Sequence, residues 1–370
     1  MPPTQAGKGA VPFDHPLCAF GAGPTGTAMG NALASSADVV LGVGTRYSDF
    51  TTSSETLFSP DARFVNVNIC HFDVRKERAL RLWGDARTTL TALLAALERQ
   101  GVARRGDGAA ADYAGDPGEY ADEIRTLRRQ WLVEAEAWRN REGEPLRQSV
   151  AVGLINDHVS GPDAVVLSAA GSLPGDLQKL WRITDPAGLE YLCEYGYSTM
   201  GFEIAAGLGA ALALPGRRAV VLVGDLSFLM MPSELVTAAQ LGLPMTVVVF
   251  DNHGGQSIRH LQKRSGFGDH GMEYLRADGT MLELDFAAMA RGMGCAGLRA
   301  ADAESLRRAL EEADQVTDRP VVIQVEVDKE DLMPGYGQWW DVPQPAVDGS
   351  GQPSEARAEY LEQKAKQVIR

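Results

Sequence analysis

The chain is 370 residues long, enough for two domains, and 45% of it is apolar, as in an ordinary soluble globular protein. Its net charge of −14 and isoelectric point near 4.9 argue against a nucleic acid or an anionic membrane as partner. The four cysteines (Cys18, Cys70, Cys193, Cys295) show neither CxxC nor zinc spacing. With no apolar run of signal-peptide or membrane-spanning length, they point to a reduced, cytoplasmic protein.

In chain order, GAGPTG (Gly21–Gly26) fits GxGxxG, but HPLCAF before it is a poor strand and a proline lies inside the motif. A nicotinamide site is therefore not expected there. Val39–Gly44 and Phe64–Ile69 read as two strands, and Thr88–Gln100 as an amphipathic helix with leucines at 90, 93, 94 and 97. Residues 1–100 thus look like part of an α/β domain, although two strands are few for a doubly wound sheet. The Gly/Ala/Asp-rich stretch 101–116 reads as a linker. A charged helix over Glu119–Arg141 follows, with Trp131 and Trp138 on its apolar side, so that 101–145 form linker and connecting helix. A helix over Leu146–Val159 opens the second domain, 146–345.

Within that domain the strand AVVLSA (Ala164–Ala169) runs into a Gly-rich loop, GSLPGD, and Ser198–Leu214 reads as a small-residue helix. The most informative stretch is Ala219–Asn252. An apolar strand (Ala219–Val223) ends at Gly224-Asp225, a helical segment follows, and a second strand (Met245–Phe250) ends at Asp251-Asn252. A carboxylate and an amide oxygen at the carboxyl ends of two parallel strands sit where open α/β sheets bind ligands. Together they form a hard, all-oxygen site suited to Mg²⁺ holding a diphosphate. A loop rich in Gly and His is expected over 253–280, helices near Leu284–Met293 and Ala303–Ala313, and a last strand over Pro320–Val327. Strands alternating with helices predict a mostly parallel sheet with flanking helices. A polar helix, Ser354–Ile369, occupies the tail, 346–370.

These motifs resemble those of thiamine diphosphate enzymes of the acetolactate synthase superfamily: a GDG-like turn, a spacer, then an asparagine. Leu226 stands where that pattern has its second glycine, and Ser227 follows it. The resemblance implies an α/β fold, a truncated Rossmann-like middle domain followed by a diphosphate-binding domain, with thiamine diphosphate and Mg²⁺ as cofactors. It assigns the metal to Asp225, Asn252 and the Gly254 carbonyl. The diphosphate falls to Gly171, Ser172, Leu173, Gly224, Asp225, Leu226, Ser227, Asn252, Gly254 and Gly255. In STMGF, Ser198 and Met200 would meet the pyrimidine, with the Met200 side chain propping the two rings; read without the resemblance, Met200 is a core methionine.

GSLPGDLQKLW (Gly171–Trp181), EYGYSTMGFEIAAGLG and the late GYGQWW (Gly335–Trp340) resemble the branch that hydrolyses trihydroxycyclohexanedione in inositol catabolism, over almost the whole chain. Departures fall in the segment after Asn252 and around Pro334, where substrate is expected to stand. The resemblance implies a C–C bond next to a carbonyl as the point of attack and a small carbonyl compound as substrate. An acetolactate-synthase-like carboligase and a non-catalytic interaction module are the alternatives. In the family an activating glutamate comes from a separate pyrimidine-binding domain, and nothing here matches it. The expectation is a split enzyme, a hetero-oligomer whose partner subunit supplies that domain. Among the six histidines, His253, His260 and His270 follow the metal asparagine, and His253 is the first catalytic candidate by proximity. Glu194 and Glu203 flank the pyrimidine turn and read as caps or ion-pair partners.

Overall fold

The computed structural model describes residues 1–102, 119–159, 161–169, 171–184 and 190–370. The linker expected at 101–116 therefore lies, beyond residue 102, outside the described residues.

Two sheets, both wholly parallel, organise the chain. The first has the order β1-β2-β3, from Val39–Val43, Arg63–Asn68 and Leu80–Trp83, with helices α1 (Ala28–Ser35), α2 (Asp49–Thr52) and α3 (Ala86–Arg99) around it. Its third strand was not legible in the sequence: LRLW is short and lies just after a turn of 3-10 helix, Asp73–Arg78. The register places Leu41 beside Val65 and Val65 beside Leu80, so side chains of all three strands share one face. That face is open. Val39, Leu41, Val43 and Leu80 are 40–66% exposed, and no residue of α3 is buried.

The second sheet has the order β5-β4-β6-β7-β9-β8. Its strands are β4 (Ala164–Ser168), β5 (Tyr191–Cys193), β6 (Arg218–Gly224), β7 (Met245–Asp251), β8 (Ala296–Ala300) and β9 (Val321–Glu326). The central strands are near-continuous apolar runs because both faces are covered. One face carries Val166, Val220, Leu222, Val248, Phe250 and Ile323. They pack with helices α4 (Glu119–Arg139), α5 (Gln148–Val159), α6 (Leu173–Leu180) and, further along the chain, Ala303–Ala313. The other carries Val165, Leu167, Val221, Val223, Val247 and Val249. They pack with α7 (Phe202–Ala213), α8 (Asp225–Met230), α9 (Glu234–Gln240) and Phe286–Gly292. Each fully buried Val or Leu in these layers is worth about 1.5–3 kcal/mol. The chain order also includes α10 (Gln256–Arg264), α11 (Phe286–Gly292), α12 (Ala303–Ala313) and the tail helix α13 (Glu355–Lys364).

Three local expectations are corrected. The stretch after Gly171-Ser172 is not loop but helix α6, whose proline falls in the first turn, where it costs no hydrogen bond. The expected loop at 253–280 contains α10, whose apolar residues Ile258 and Leu261 are spaced for a helix. The small-residue helix starts at Phe202 rather than Ser198, because Ser198 (φ +53°) and Gly201 (φ +87°) lie in the left-handed region. The GAGPTG loop has no strand before it. It wedges against α6 instead, where the Thr25 hydroxyl donates to Gln178 Oε1 at 2.5 Å. The first thirty-odd residues are thereby joined to the second sheet's core, with Phe20, Met29 and Leu33 in the same apolar cluster as Trp181.

Candidate functional site

From β4 the chain steps to β5 on one side, then crosses to β6 on the other. The carboxyl ends of β4 and β6 therefore flank the topological switch point, where the loops above a parallel sheet part and leave a crevice. An open cleft lies there. Gly171, Ser172 and Leu173 line it from the end of β4, Gly224, Asp225, Leu226 and Ser227 from β6, and Asn252, Gly254 and Gly255 from β7, with Met200 at one side. Of the residues assigned to cofactor in the sequence, Ser198 alone is not in the lining. The sequence reading missed Gln148, Phe250, Gln256 and Ser257, which also line it. Gln148 is remote in sequence, and nothing in its neighbourhood marks it. Gln256 and Ser257 were hidden by reading α10 as loop.

Asp225 organises the floor. It is 1% exposed, and its carboxylate accepts hydrogen bonds from three backbone N–H groups: Leu226 at 2.6 Å, Gly254 at 2.9 Å and Asn252 at 3.2 Å. Burial, followed by the Asp251 carboxylate alongside, nevertheless pushes its pKa up to about 8. Tyr274 faces the same pair. Burial and the charges of Asp225 and Asp251 push its hydroxyl up as well. The Asn252 side-chain oxygen is buried beside this group and accepts no hydrogen bond. An acceptor left bare at the floor of a cleft, next to a buried carboxylate, suits a cation and nothing apolar.

The donor set for such a cation is one carboxylate, one amide oxygen and the Gly254 carbonyl. Among the described residues no cluster of three or more His, Cys, Asp or Glu side chains offers an alternative. These oxygens fit a hard ion such as Mg²⁺. Gly254 cannot be replaced without loss: φ is +142°, and a β-carbon would lie 2.0 Å from the Met272 carbonyl oxygen. That closeness reflects a short antiparallel pairing of 253–255 with the segment around Met272 and Glu273, in which Gly255 N–H donates to the Met272 carbonyl at 2.7 Å.

Helix α6 begins at the cleft, but Pro174 has no N–H and the Gly175 and Asp176 N–H groups donate to the Ser172 carbonyl, so those positions offer an anion nothing. The Ser227 hydroxyl donates to the Glu203 carboxylate and leaves its backbone N–H for a ligand. Glu194 caps the turn before Met200, accepting from the N–H groups of Gly196, Tyr197 and Thr199. Burial alone would raise its pKa, but these three bonds bring it below the ordinary value.

The histidines stand apart. His253 lies outside the lining, held at φ +62° with Nδ1 3.4 Å from Asp251 and Nε2 3.7 Å from Glu326. His260 pairs with Glu330 at 3.2 Å, and His270 is exposed. All four cysteines are free, and among the described residues no helix is long and apolar enough to cross a membrane.

Residues 169–325 match the thiamine pyrophosphate enzyme C-terminal TPP binding domain, and residues 2–93 the thiamine pyrophosphate enzyme central domain. The chain is 37% identical over 367 residues to the 3D-(3,5/4)-trihydroxycyclohexane-1,2-dione hydrolase of Halalkalibacterium halodurans, covering 92% of this chain and 54% of that protein. The hydrolases of the same name from Clostridium perfringens (37% identity, 92% and 55% covered) and Bacillus subtilis (36%, 92% and 54%) are similarly related. The chain thus spans about half the length of the curated relatives it matches.

Proposed function

We propose that this chain, which belongs to the thiamine pyrophosphate enzymes through its central and C-terminal domains, holds Mg²⁺ and the diphosphate of thiamine diphosphate in the cleft at β4, β6 and β7. The observation that carries the reading is the bare Asn252 oxygen beside the buried Asp225 carboxylate. With the Gly254 carbonyl these would hold the cation, and the Ser227 backbone N–H would help orient the anion. In a protein of net charge −14, metal and backbone dipoles do what a basic field cannot. The half-buried Met200 would support the cofactor between its rings. When bound, the cofactor supplies a carbon nucleophile for carbonyl carbons.

The reaction we infer is cleavage by water of a C–C bond next to a carbonyl, in a hydroxylated cyclic 1,2-dione like that named for the hydrolases above. The activating acid belongs to a pyrimidine-binding domain in a partner subunit, so the full activity belongs to an assembly. The open apolar face of the first sheet (Val39, Leu41, Val43, Leu80) supports a partner, since monomers rarely leave such a patch uncovered.

Calorimetric titration with thiamine diphosphate and Mg²⁺ tests the reading, with the chain alone and mixed with a pyrimidine-domain protein. Saturable, Mg²⁺-dependent binding that disappears in Asp225→Ala is expected. Unchanged binding in that variant would remove the site assignment, and absence of binding in every mixture would remove the cofactor.

A further inference from the structure

We propose that Glu203 is a positioning residue that locks the Met200 turn to the start of helix α8 at Asp225, so that the two walls of the cleft move as one unit. The inference rests on reading the cleft as the cofactor site. Glu203 is 1% exposed, in the first turn of α7. Both of its carboxylate oxygens lie within reach of the Ser227 hydroxyl, at 3.0 and 2.9 Å. The Gly201 N–H donates to the Ser227 oxygen at 2.8 Å and to Glu203 Oε2 at 3.1 Å. The direction of the chain follows from donor count. Ser227 has one proton and gives it to Glu203, so its oxygen is free to accept from Gly201.

A helix cap would need only the Gly201–Glu203 contact, which is closed within three residues. The Ser227 bond adds something a cap does not require, a link to helix α8, 24 residues on. Ser227 follows Asp225 by two positions, and Gly201 follows Met200 by one. Any shift of the turn against α8 therefore breaks hydrogen bonds to a buried carboxylate, where no water replaces them. Packing reinforces the link: a β-carbon on Gly201 would come within 2.8 Å of Met231, at the end of α8. A carboxylate suits this place because it accepts from both donors, whereas a glutamine must turn its NH₂ toward one of them.

Hydrogen exchange on the full chain tests this without needing a ligand. Exchange is followed in peptides covering 194–204 and 219–230 for wild type, Glu203→Gln, Ser227→Ala and the double variant. Each single variant is expected to exchange roughly tenfold faster in both peptides, with the double variant no faster than either. Acceleration confined to the peptide that carries the substitution, or additive effects in the double variant, would overturn the coupling. Ser227→Ala keeps the test valid should Glu203→Gln unfold, which a melting curve reveals. A second arm adds Mg²⁺ and thiamine diphosphate. Wild type should gain protection in both peptides and Glu203→Gln in 219–230 only; equal protection of both peptides in that variant would refute the positioning role. If wild type gains no protection either alone or mixed with a pyrimidine-domain protein, the cofactor reading fails, and the coupling is decided by the first arm.

Discussion

The proton on Asp225 makes the most exacting prediction. Its pKa, near 8 in the fold, stands far above the ordinary 3.8. The folded state therefore binds this proton more tightly than the unfolded chain does. The stability it contributes is complete below about pH 4 and lost as pH rises through 8. Between pH 5 and 7 one proton separates the two states, a slope of about 1.4 kcal/mol per pH unit. Other groups titrate in the same interval, notably Glu55 and Asp176, raised by burial to about 7 and about 6. The informative quantity is thus the difference between wild type and Asp225→Asn. The variant has one side-chain oxygen for three N–H donors and sets an NH₂ among them, which costs about 1–3 kcal/mol at pH 5. That gap should close by about 3 kcal/mol between pH 5 and 7. Urea melts at half-unit intervals of pH measure it directly. Parallel stability curves for the two proteins would refute the assignment of the proton to Asp225. The same proton competes with a cation, so Mg²⁺ affinity should rise about tenfold per pH unit over this range and level off near 8.

Three further outcomes are expected. Asn252→Ala removes a bare buried acceptor, so its melting temperature should match or exceed wild type while Mg²⁺-dependent binding of thiamine diphosphate is lost by calorimetry. Gly254→Ala forces a β-carbon against the Met272 carbonyl and should cost about 1–3 kcal/mol in a urea melt, with faster hydrogen exchange around 272–275. Lys8 is buried and its pKa lowered to about 8, so the unfolded chain holds this proton more tightly and wild type should gain stability from pH 8 to 10; Lys8→Met should abolish that gain in thermal melts.

What the sequence disclosed follows from how local the signals are. The strands around Asp225 and Asn252 were legible because apolar runs of strand length end there in polar residues, and β6 and β7 appear within a residue or two of the expected bounds. Leu80–Trp83, Tyr191–Cys193 and Ala296–Ala300 were not, being short edge strands whose pairing depends on neighbours remote in sequence. The same limit hid Gln148, which lines the cleft and donates to Asp176 at 2.7 Å only because α5 packs on α6. The leucines of α3 show the converse: their helical spacing is real, yet burial does not follow, since Leu94 remains 54% exposed. Periodicity predicts a face, and only packing decides what covers it.

The floor of the cleft conflicts with stability at nearly every position. Two carboxylates adjoin and an amide oxygen is unpaired, and just outside the lining His253 and Ser198 hold left-handed backbone that side chains resist. Such features cost on the order of 1–3 kcal/mol each and persist only where the surroundings over-determine them. Here β6 and β7 provide that constraint, fixed in register from Ala219–Met245 to Gly224–Phe250 with both faces buried. The conflict is also specific. A cation answers the two carboxylates and the bare oxygen together. Ligand should therefore stabilise the fold by relieving the conflict as well as by mass action, which adds only about 2.7 kcal/mol at a hundredfold excess over Kd. The pH dependence separates the two contributions. Saturating Mg²⁺ and diphosphate should flatten the loss of stability between pH 5 and 7, because the proton on Asp225 has already been displaced. A loss of unchanged slope would mean that the ligand binds without touching the carboxylate, and the cation would have to be held elsewhere.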